Sequence, residues 1–381
     1  MRSIAVPIVA AAFVFGIPAG ASMAKDLVLS HGYPTTHHLS VTYTRFADYV
    51  AKNSDIKLTI HPGGALTSLT ETSPALRDGV IDLGTVNPPY YLAEFPNSNL
   101  VANLSMLATI GKEVKAPGAV MVGAAMEYIF FNCEDCQQDY ARQGQVYLGS
   151  LSTSTFDLLC SKPIRSVADV RGKRLRSGAA NFGRWAEHFG GVQVQLPGGE
   201  IYESLSQGVV DCTMQSVSDM TCYQLNEVAK FATLGFLGGV FSGIDPHNIN
   251  IETWRSLTDQ QRRVLLDASA RGVAAATHSF YKVAQDNVEK APELGVEIIR
   301  ATDEMVAANQ KFVEDDIKII EAQFSKEYGV KDTQAKIEKV RGLIDRWRGL
   351  IANWDGQEES LAQLFSQEIF SKIDASTYGM N

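Results

Sequence analysis

The chain has 381 residues, a formal net charge of -9, 45% hydrophobic residues and 20% charged residues. These values describe a globular protein with a large core and room for two lobes, and they exclude a disordered chain. The acidic balance argues against nucleic acid or an anionic membrane surface as a partner. An anionic ligand would therefore need a local cationic pocket.

The first 24 residues have the pattern of a secretory signal peptide. Arg2 supplies a short positive end, residues 4–17 are apolar, and Ser22-Met-Ala24 forms a small-residue cleavage site. The apolar run is too short, and too interrupted by proline, to span a bilayer. We therefore predict export and, in a cell with two membranes, a periplasmic location.

The next part of the chain alternates strands with helices. The predicted elements are strand 27–30, helix 40–51, strand 56–60, helix 71–78 and strand 81–86. Such a series predicts a parallel sheet, where ligands bind beyond the carboxyl ends of the strands. Tyr33, Asn87 and Tyr90 follow strand ends and are candidate ligand contacts. Ordinary turn chemistry explains the same residues equally well.

A second alternating series follows a predicted helix over 112–142 and a crossing strand over 145–151. Its elements are strand 174–176, helix 181–189, strand 192–196 and helix 200–208. Arg176 ends the first of these strands, where a guanidinium offers a planar fork of donors that matches a carboxylate. The alternative is an exposed arginine in the basic run with Arg171, Lys173 and Arg174.

Several spaced motifs surround Arg176. They are Pro-Ile-x-Ser-x-x-Asp-x-x-Gly-x-x-x-Arg from Pro163, then Gly-Gly-x-x-Val, Glu-x-Tyr-x-x-Leu and Gln-Gly-Val-Val-Asp. This set, in this order, resembles the substrate-binding proteins of TRAP (tripartite ATP-independent periplasmic) transporters over about residues 27–270. The resemblance implies a two-lobed α/β fold with a long helix spanning both lobes. It also implies that Arg176 clamps a ligand carboxylate and that Asn87 and Tyr90 contact the ligand.

The resemblance divides the mature chain into two lobes. One comprises 25–152 with 240–281, and the other comprises 153–239 with 282–381 and the C-terminal helices. The partners it implies are a small organic anion and a TRAP membrane permease, with no cofactor.

Two positions depart from the family pattern. Phe156 stands where many members carry a second arginine, and Gln215 stands where an asparagine often bonds the ligand. These departures favour one carboxylate on an apolar, aromatic or hydroxylated body. Trp185 and His247 complete the predicted ligand contacts, although Phe156 could equally be plain core.

The five cysteines all lie after the predicted cleavage site. An oxidising compartment permits disulfides, and the odd number leaves one unpaired within the chain. Cys133 and Cys136 are predicted to pair locally, because no second CxxC supports a redox or zinc motif. A bond between Cys212 and Cys222 is a weaker prediction.

The C-terminal part, from 263 to about 373, is predicted to be nearly all helix, with a short strand at 295–299. Residues 361–373 fit either an extra helix or a dimer contact.

An exported enzyme, such as a lyase or hydrolase, is the alternative function. Its support is weak, because the SxxK spacing of Ser279 and Lys282 lacks companion motifs. His37 and His38 are adjacent in sequence, and no spaced set of metal ligands is evident. A sensory binding protein with another partner is a third hypothesis.

Overall fold

A computed structural model describes residues 25–111 and 114–380; the predicted signal peptide lies outside these residues. The strands are β1 Asp26–Ser30, β2 Lys57–His61, β3 Leu83–Val86, β4 Gln145–Val146, β5 Leu151–Cys160, β6 Arg174–Ser177, β7 Val192–Gln195, β8 Cys212–Ser216, β9 Phe231–Leu234, β10 Val240–Asn250 and β11 Glu297–Arg300. The α-helices are α1 Val41–Asn53, α2 Thr72–Arg77, α3 Pro96–Asn103, α4 Pro117–Phe131, α5 Glu134–Arg142, α6 Ala180–His188, α7 Ile201–Ser206, α8 Asp219–Cys222, α9 Ile251–Ser256, α10 Asp259–Lys290, α11 Asp303–Lys326, α12 Thr333–Ala352 and α13 Glu358–Glu368.

Eight strands form the main path of one mixed sheet, in the order β2-β1-β3-β10-β5-β8-β6-β7, while β4 pairs with β10, and β9 pairs with β5 and β11. At one end β1 is parallel to β2 and β3, and at the other end β6 is parallel to β7 and β8. Parallel neighbours need crossover connections, which the intervening helices supply. The predicted α/β fold with two alternating series is confirmed.

Two long antiparallel strands join these halves of the sheet. The second part of β10 pairs with β3, and its first part pairs with β5. In turn, β5 pairs with β10 through its first residues and with β8 through its last five. The centre of the sheet is therefore shared by both lobes.

The predicted long helix is α10, whose 32 residues extend about 48 Å at 1.5 Å per residue. It begins with a capping box between Thr258 and Gln261, which satisfies free backbone donors in its first turn. Along its length it packs against α1, α13 and β5.

Two predicted boundaries in the middle of the chain are wrong. Instead of one helix over 112–142, α4 ends at Phe131 and α5 begins after Cys133. The predicted strand 145–151 is interrupted as well, because Gly149 has φ +130°, a conformation that side chains disfavour. The long strand, β5, begins only at Leu151.

Two disulfides are present, and one differs from the prediction. The Cys133–Cys136 bond forms as predicted. Cys212 pairs with Cys160 rather than with Cys222, because these two cysteines are direct register partners on β5 and β8. Cys222 keeps a free thiol.

The C-terminal segment folds back on its own chain. Helix α13 packs against α10, and Leu361, Phe365 and Phe370 are buried there. It is the extra helix that the sequence allowed, and its apolar side is covered within the chain rather than left for a dimer contact. Among the helices of the described residues, none has the length and apolarity that a bilayer crossing requires.

Candidate functional site

A narrow cavity of about 30 Å³, partly open to solvent, lies between the two halves of the sheet. It sits beyond the carboxyl ends of β1, β3, β6 and β8, as expected for an α/β sheet. Its lining residues are Tyr33, His37, Tyr90, Thr153, Phe156, Arg176, Gly198, Gln215, Asp219, Tyr223, Phe241, Ile244 and Phe280.

The guanidinium of Arg176 is fixed inside this cavity, with 2% of the residue exposed. Its Nε and Nη2 donate to the Leu196 carbonyl at 2.9 and 2.6 Å, and Nη1 donates to Gln215 Oε1 at 2.9 Å. These bonds use three of its five N–H donors. Gly178 leaves the space beside the guanidinium open, because a Cβ there would lie 3.0 Å from Nη2. The arginine is thus pre-oriented, with two donors in reserve for a ligand.

A chain of hydrogen bonds continues from Arg176 across the cleft. Gln215 Nε2 donates to Asp219 Oδ2, which fixes the direction of the amide. Asp219 Oδ1 lies 3.3 Å from His37 Nε2 and 3.5 Å from His38 Nε2. Residues that follow β8 therefore contact residues that follow β1.

The buried groups of this chain have shifted acidities. Burial alone raises the pKa of the Asp219 carboxyl, but hydrogen bonds from His37 and Gln215 and the electrostatic effect of the neighbouring histidines bring it below its usual value. Burial lowers the pKa of His38 to about 3. At neutral pH the carboxylate of Asp219 is therefore ionised and the ring of His38 is neutral.

Aromatic rings form most of the remaining wall. Phe156 stacks on Phe182 with ring centroids 4.7 Å apart, and Phe241 lies 6.1 Å from it on the other side. The hydroxyl of Tyr90 accepts a hydrogen bond from the Gly198 amide at 3.2 Å, across the cleft. The cavity therefore combines one fixed cation with flat apolar surfaces.

Most of the predicted contacts meet in this cavity. Its lining includes Tyr33, Tyr90, Phe156, Arg176 and Gln215. Asn87 stands behind Tyr33, to whose hydroxyl its amide donates at 3.1 Å.

The other two predicted contacts lie elsewhere. Trp185 is on the core side of α6, and its indole N–H donates to Asn309 at 2.9 Å. His247 is buried against α1 and α10, where it stacks on Phe46 and lies 3.0 Å from the Ser269 hydroxyl. Neither residue reaches the cavity, because Trp185 faces α11 and His247 faces α1 and α10.

Several lining residues were not predicted from the sequence. His37 lies four residues after Tyr33, and Asp219 lies three residues after the end of β8, so the strand-end rule could have indicated both. Phe280 comes from the middle of α10. Only tertiary packing brings that ring to the cavity, and no local signal marks it.

This architecture, with a narrow cavity between two halves joined by crossing strands, is that of a two-lobed binding protein. The chain belongs to the bacterial extracellular solute-binding proteins of family 7, the DctP family, whose sequence profile matches residues 29–324. The resemblance found in the sequence is thereby confirmed, and the family is one of binding proteins rather than enzymes.

Known proteins with similar sequences and structures agree with this placement. A solute-binding protein of Albidiferax ferrireducens is 22% identical over 260 residues, which cover 68% of this chain and 74% of that protein. A marine metagenome TRAP solute-binding protein specific for aromatic acids, solved with 3-hydroxybenzoate, has a TM-score of 0.74 at 20% identity, covering 86% of this chain and 99% of that one. A TRAP solute-binding protein of Bordetella bronchiseptica with bound mandelate has a TM-score of 0.69 at 21% identity, covering 84% and 99%. At these identities the structural likeness establishes the fold.

Proposed function

We propose that this protein captures a small aromatic or hydroxylated monocarboxylate and delivers it to a TRAP membrane permease. The observation that carries the proposal is the buried, pre-oriented guanidinium of Arg176, which has two N–H donors in reserve in a cavity walled by aromatic rings. A carboxylate accepts such a pair of donors in a bidentate, charge-assisted contact.

The charges of the cavity favour one carboxylate over two. Of the described residues that line the cavity, Arg176 is the one lysine or arginine, and Asp219 adds a negative charge. A second ligand carboxylate would lie in a confined, poorly solvated space without a cation of its own. Burying an unpaired charge costs several kcal/mol. Dicarboxylates should therefore bind much more weakly than monocarboxylates.

The walls of the cavity favour a flat ligand body. Tyr33, Tyr90, Phe156, Tyr223 and Phe241 surround the space beside the guanidinium. Stacked or edge-to-face ring pairs contribute about 0.5–1.5 kcal/mol each beyond the burial of their area. A hydroxyl group on the ligand could pair with the carboxylate of Asp219 or the amide of Gln215.

Capture would proceed by closure of the two lobes, one made of 25–152 with 240–281 and the other of 153–239 with 282–381. The hydrogen bonds of His37 to Asp219 and of Gly198 to Tyr90 bridge the cleft and support a closed form. A ligand that contacts both sides stabilises closure by its differential affinity for that state. Ligand addition should then reduce the radius of gyration in small-angle scattering.

A thermal-shift screen with the purified mature protein tests the ligand class. Its probes are 3-hydroxybenzoate, mandelate, galacturonate and the dicarboxylates phthalate and succinate. We expect the largest rise in melting temperature with an aromatic monocarboxylate, since ligands that bind the native state stabilise it. A rise confined to dicarboxylates, or recovery of a chemically altered ligand, would overturn the proposal.

Delivery from the periplasm is tested in the cell. We expect the N-terminus of the exported protein to lie near residue 25, after cleavage of the signal peptide. We also expect deletion of the gene to abolish uptake of the bound acid. Unchanged uptake in the deletion strain would contradict the proposed partnership with a permease.

A further inference from the structure

Four residues with metal-binding side chains meet at the edge of the cavity. They are His37, His38, Asp219 and Cys222, and their candidate ligand atoms all lie within 4.8 Å of one another. The two histidines follow β1, whereas Asp219 and Cys222 begin and end α8 in the other half of the molecule. From this juxtaposition we propose that His38, Asp219 and Cys222 form a Zn²⁺ site, with His37 orienting the carboxylate.

The spacing of the three atoms fits a tetrahedral zinc ion. Asp219 Oδ1 lies 3.5 Å from His38 Nε2 and 3.8 Å from Cys222 Sγ. Zinc bonds of about 2.0–2.3 Å at tetrahedral angles separate neighbouring ligand atoms by about 3.3–3.6 Å. The two distances from Asp219 Oδ1 are within a few tenths of an ångström of these separations, and the candidate ligand atoms all lie within 4.8 Å of one another.

The state of His38 points independently to a ligand. Its side chain is 8% exposed, and neither ring nitrogen has a hydrogen-bond partner among the described residues. A buried imidazole without partners loses the hydrogen bonds that water would give it, which costs free energy. A metal ion bound to Nε2 would satisfy this nitrogen.

His37 has a different role, which its hydrogen bonds define. Its Nδ1 accepts a bond from the Leu39 amide at 3.0 Å, so a proton of the ring is on Nε2. That Nε2–H is directed at Asp219 Oδ1, 3.3 Å away. A nitrogen that carries a proton does not coordinate a metal. His37 therefore holds the carboxylate in place, as outer partners of metal ligands commonly do.

The chemistry of the donors selects the ion. Thiolate, imidazole and carboxylate together suit Zn²⁺, whereas Ca²⁺ and Mg²⁺ prefer all-oxygen sites. Three protein ligands leave a fourth position for water. Because the ligands come from both halves of the molecule, the ion would favour the closed form.

The test uses the full-length mature protein, stripped with a chelator and free of organic acid. Titration with Zn²⁺ in a calorimeter should show one ion bound per chain. Co²⁺ should produce the intense near-ultraviolet charge-transfer band of a cobalt–thiolate bond, lost in Cys222→Ser. Bound Zn²⁺ should also slow alkylation of the Cys222 thiol.

Variants distinguish the metal ligand His38 from the orienting residue His37. His37→Ala should lower the Zn²⁺ affinity about 10- to 100-fold, as loss of an outer partner does. His38→Ala should lower it further, because it removes a ligand. His188→Ala, an exposed histidine on α6, is the matched control and should leave it unchanged.

The wild-type protein alone decides the matter if a variant fails to fold. No cobalt–thiolate band, or no stoichiometric Zn²⁺ binding, overturns the proposal. Unchanged affinity in a folded His38→Ala variant overturns it as well. None of these readouts involves an organic acid, so failure here is distinct from failure of the proposed carboxylate capture.

Discussion

Replacing Arg176 by alanine tests the central contact of the proposed ligand site. The substitution removes a buried cation that lines the cavity and has two N–H donors in reserve. Removing one partner of a buried ion pair costs about 3–5 kcal/mol, which corresponds to roughly a 100- to 4,000-fold loss of affinity. Calorimetric titration should record this loss with the acid that gives the largest thermal shift. Arg176→Lys keeps the charge without the fork of donors and should give an intermediate loss.

Arg174 provides the matched control on the same strand. Its guanidinium is about half exposed and bonds Asp211 at 3.0 Å, away from the cavity lining. Arg174→Ala should therefore leave the ligand affinity unchanged. Circular dichroism and thermal melting verify that each variant is folded, because Arg176→Ala also frees the Leu196 carbonyl and the Gln215 amide. A folded Arg176→Ala variant with undiminished affinity would refute the reasoning.

Three further predictions concern stability. Replacing Cys160 and Cys212 together by alanine should lower the free energy of unfolding by about 4 kcal/mol in urea denaturation, because the bond closes a loop with a sequence separation of 52; an unchanged midpoint would contradict this. Burial raises the pKa of the Asp157 carboxyl to about 7. The unfolded chain releases this proton near pH 4, so the free energy of unfolding should fall as pH rises from about 4 to about 7, and Asp157→Asn should flatten that slope. Gly123→Ala should lower the free energy of unfolding by about 1–3 kcal/mol, since its Cβ would lie 2.2 Å from the Trp347 ring. Gly342→Ala is the control: its Cβ would enter open space on α12, so the free energy of unfolding should be unchanged or rise by up to about 1 kcal/mol.

The sequence predicted the parallel parts of the sheet well, because local signals define them. Strand β1 contains a short apolar run, β6 lies between turns that contain Gly172 and Gly178, and helices such as α1 show regular apolar spacing. The strand-end rule correctly predicted that Tyr33, Tyr90 and Arg176 face a common cavity. Position along a strand is a local property, so the placement of these residues could be predicted without knowledge of long-range packing.

Predictions that depended on long-range packing were less successful. The direction of Trp185 depends on which side of α6 the core covers, and its indole faces Asn309 rather than the cavity. Cys212 had two candidate partners, and the register of β5 against β8 chose Cys160. Neither choice can be read from neighbouring residues.

The cluster of His37, His38, Asp219 and Cys222 shows the same limit. Adjacent histidines diverge on a regular helix, so nothing in the local pattern groups them. In the structure they lie at the start of a short 3₁₀ turn, with their rings stacked 4.5 Å apart. Their partners are about 180 residues later, and only the meeting of the two lobes unites them.

The crossing strands β5 and β10 place the cavity at the hinge between the two lobes. Thr153 and Phe156 belong to β5, and Phe241 and Ile244 belong to β10, so the floor of the cavity is the joint that connects the lobes. A ligand bound there lies next to the hinge between the lobes, and not at the outer edges of the cleft. The width of the ligand, and not only its contacts, would limit how far the lobes can rotate toward each other. Exchanging Phe156 for a smaller side chain should therefore change the angle of closure together with the choice of guest.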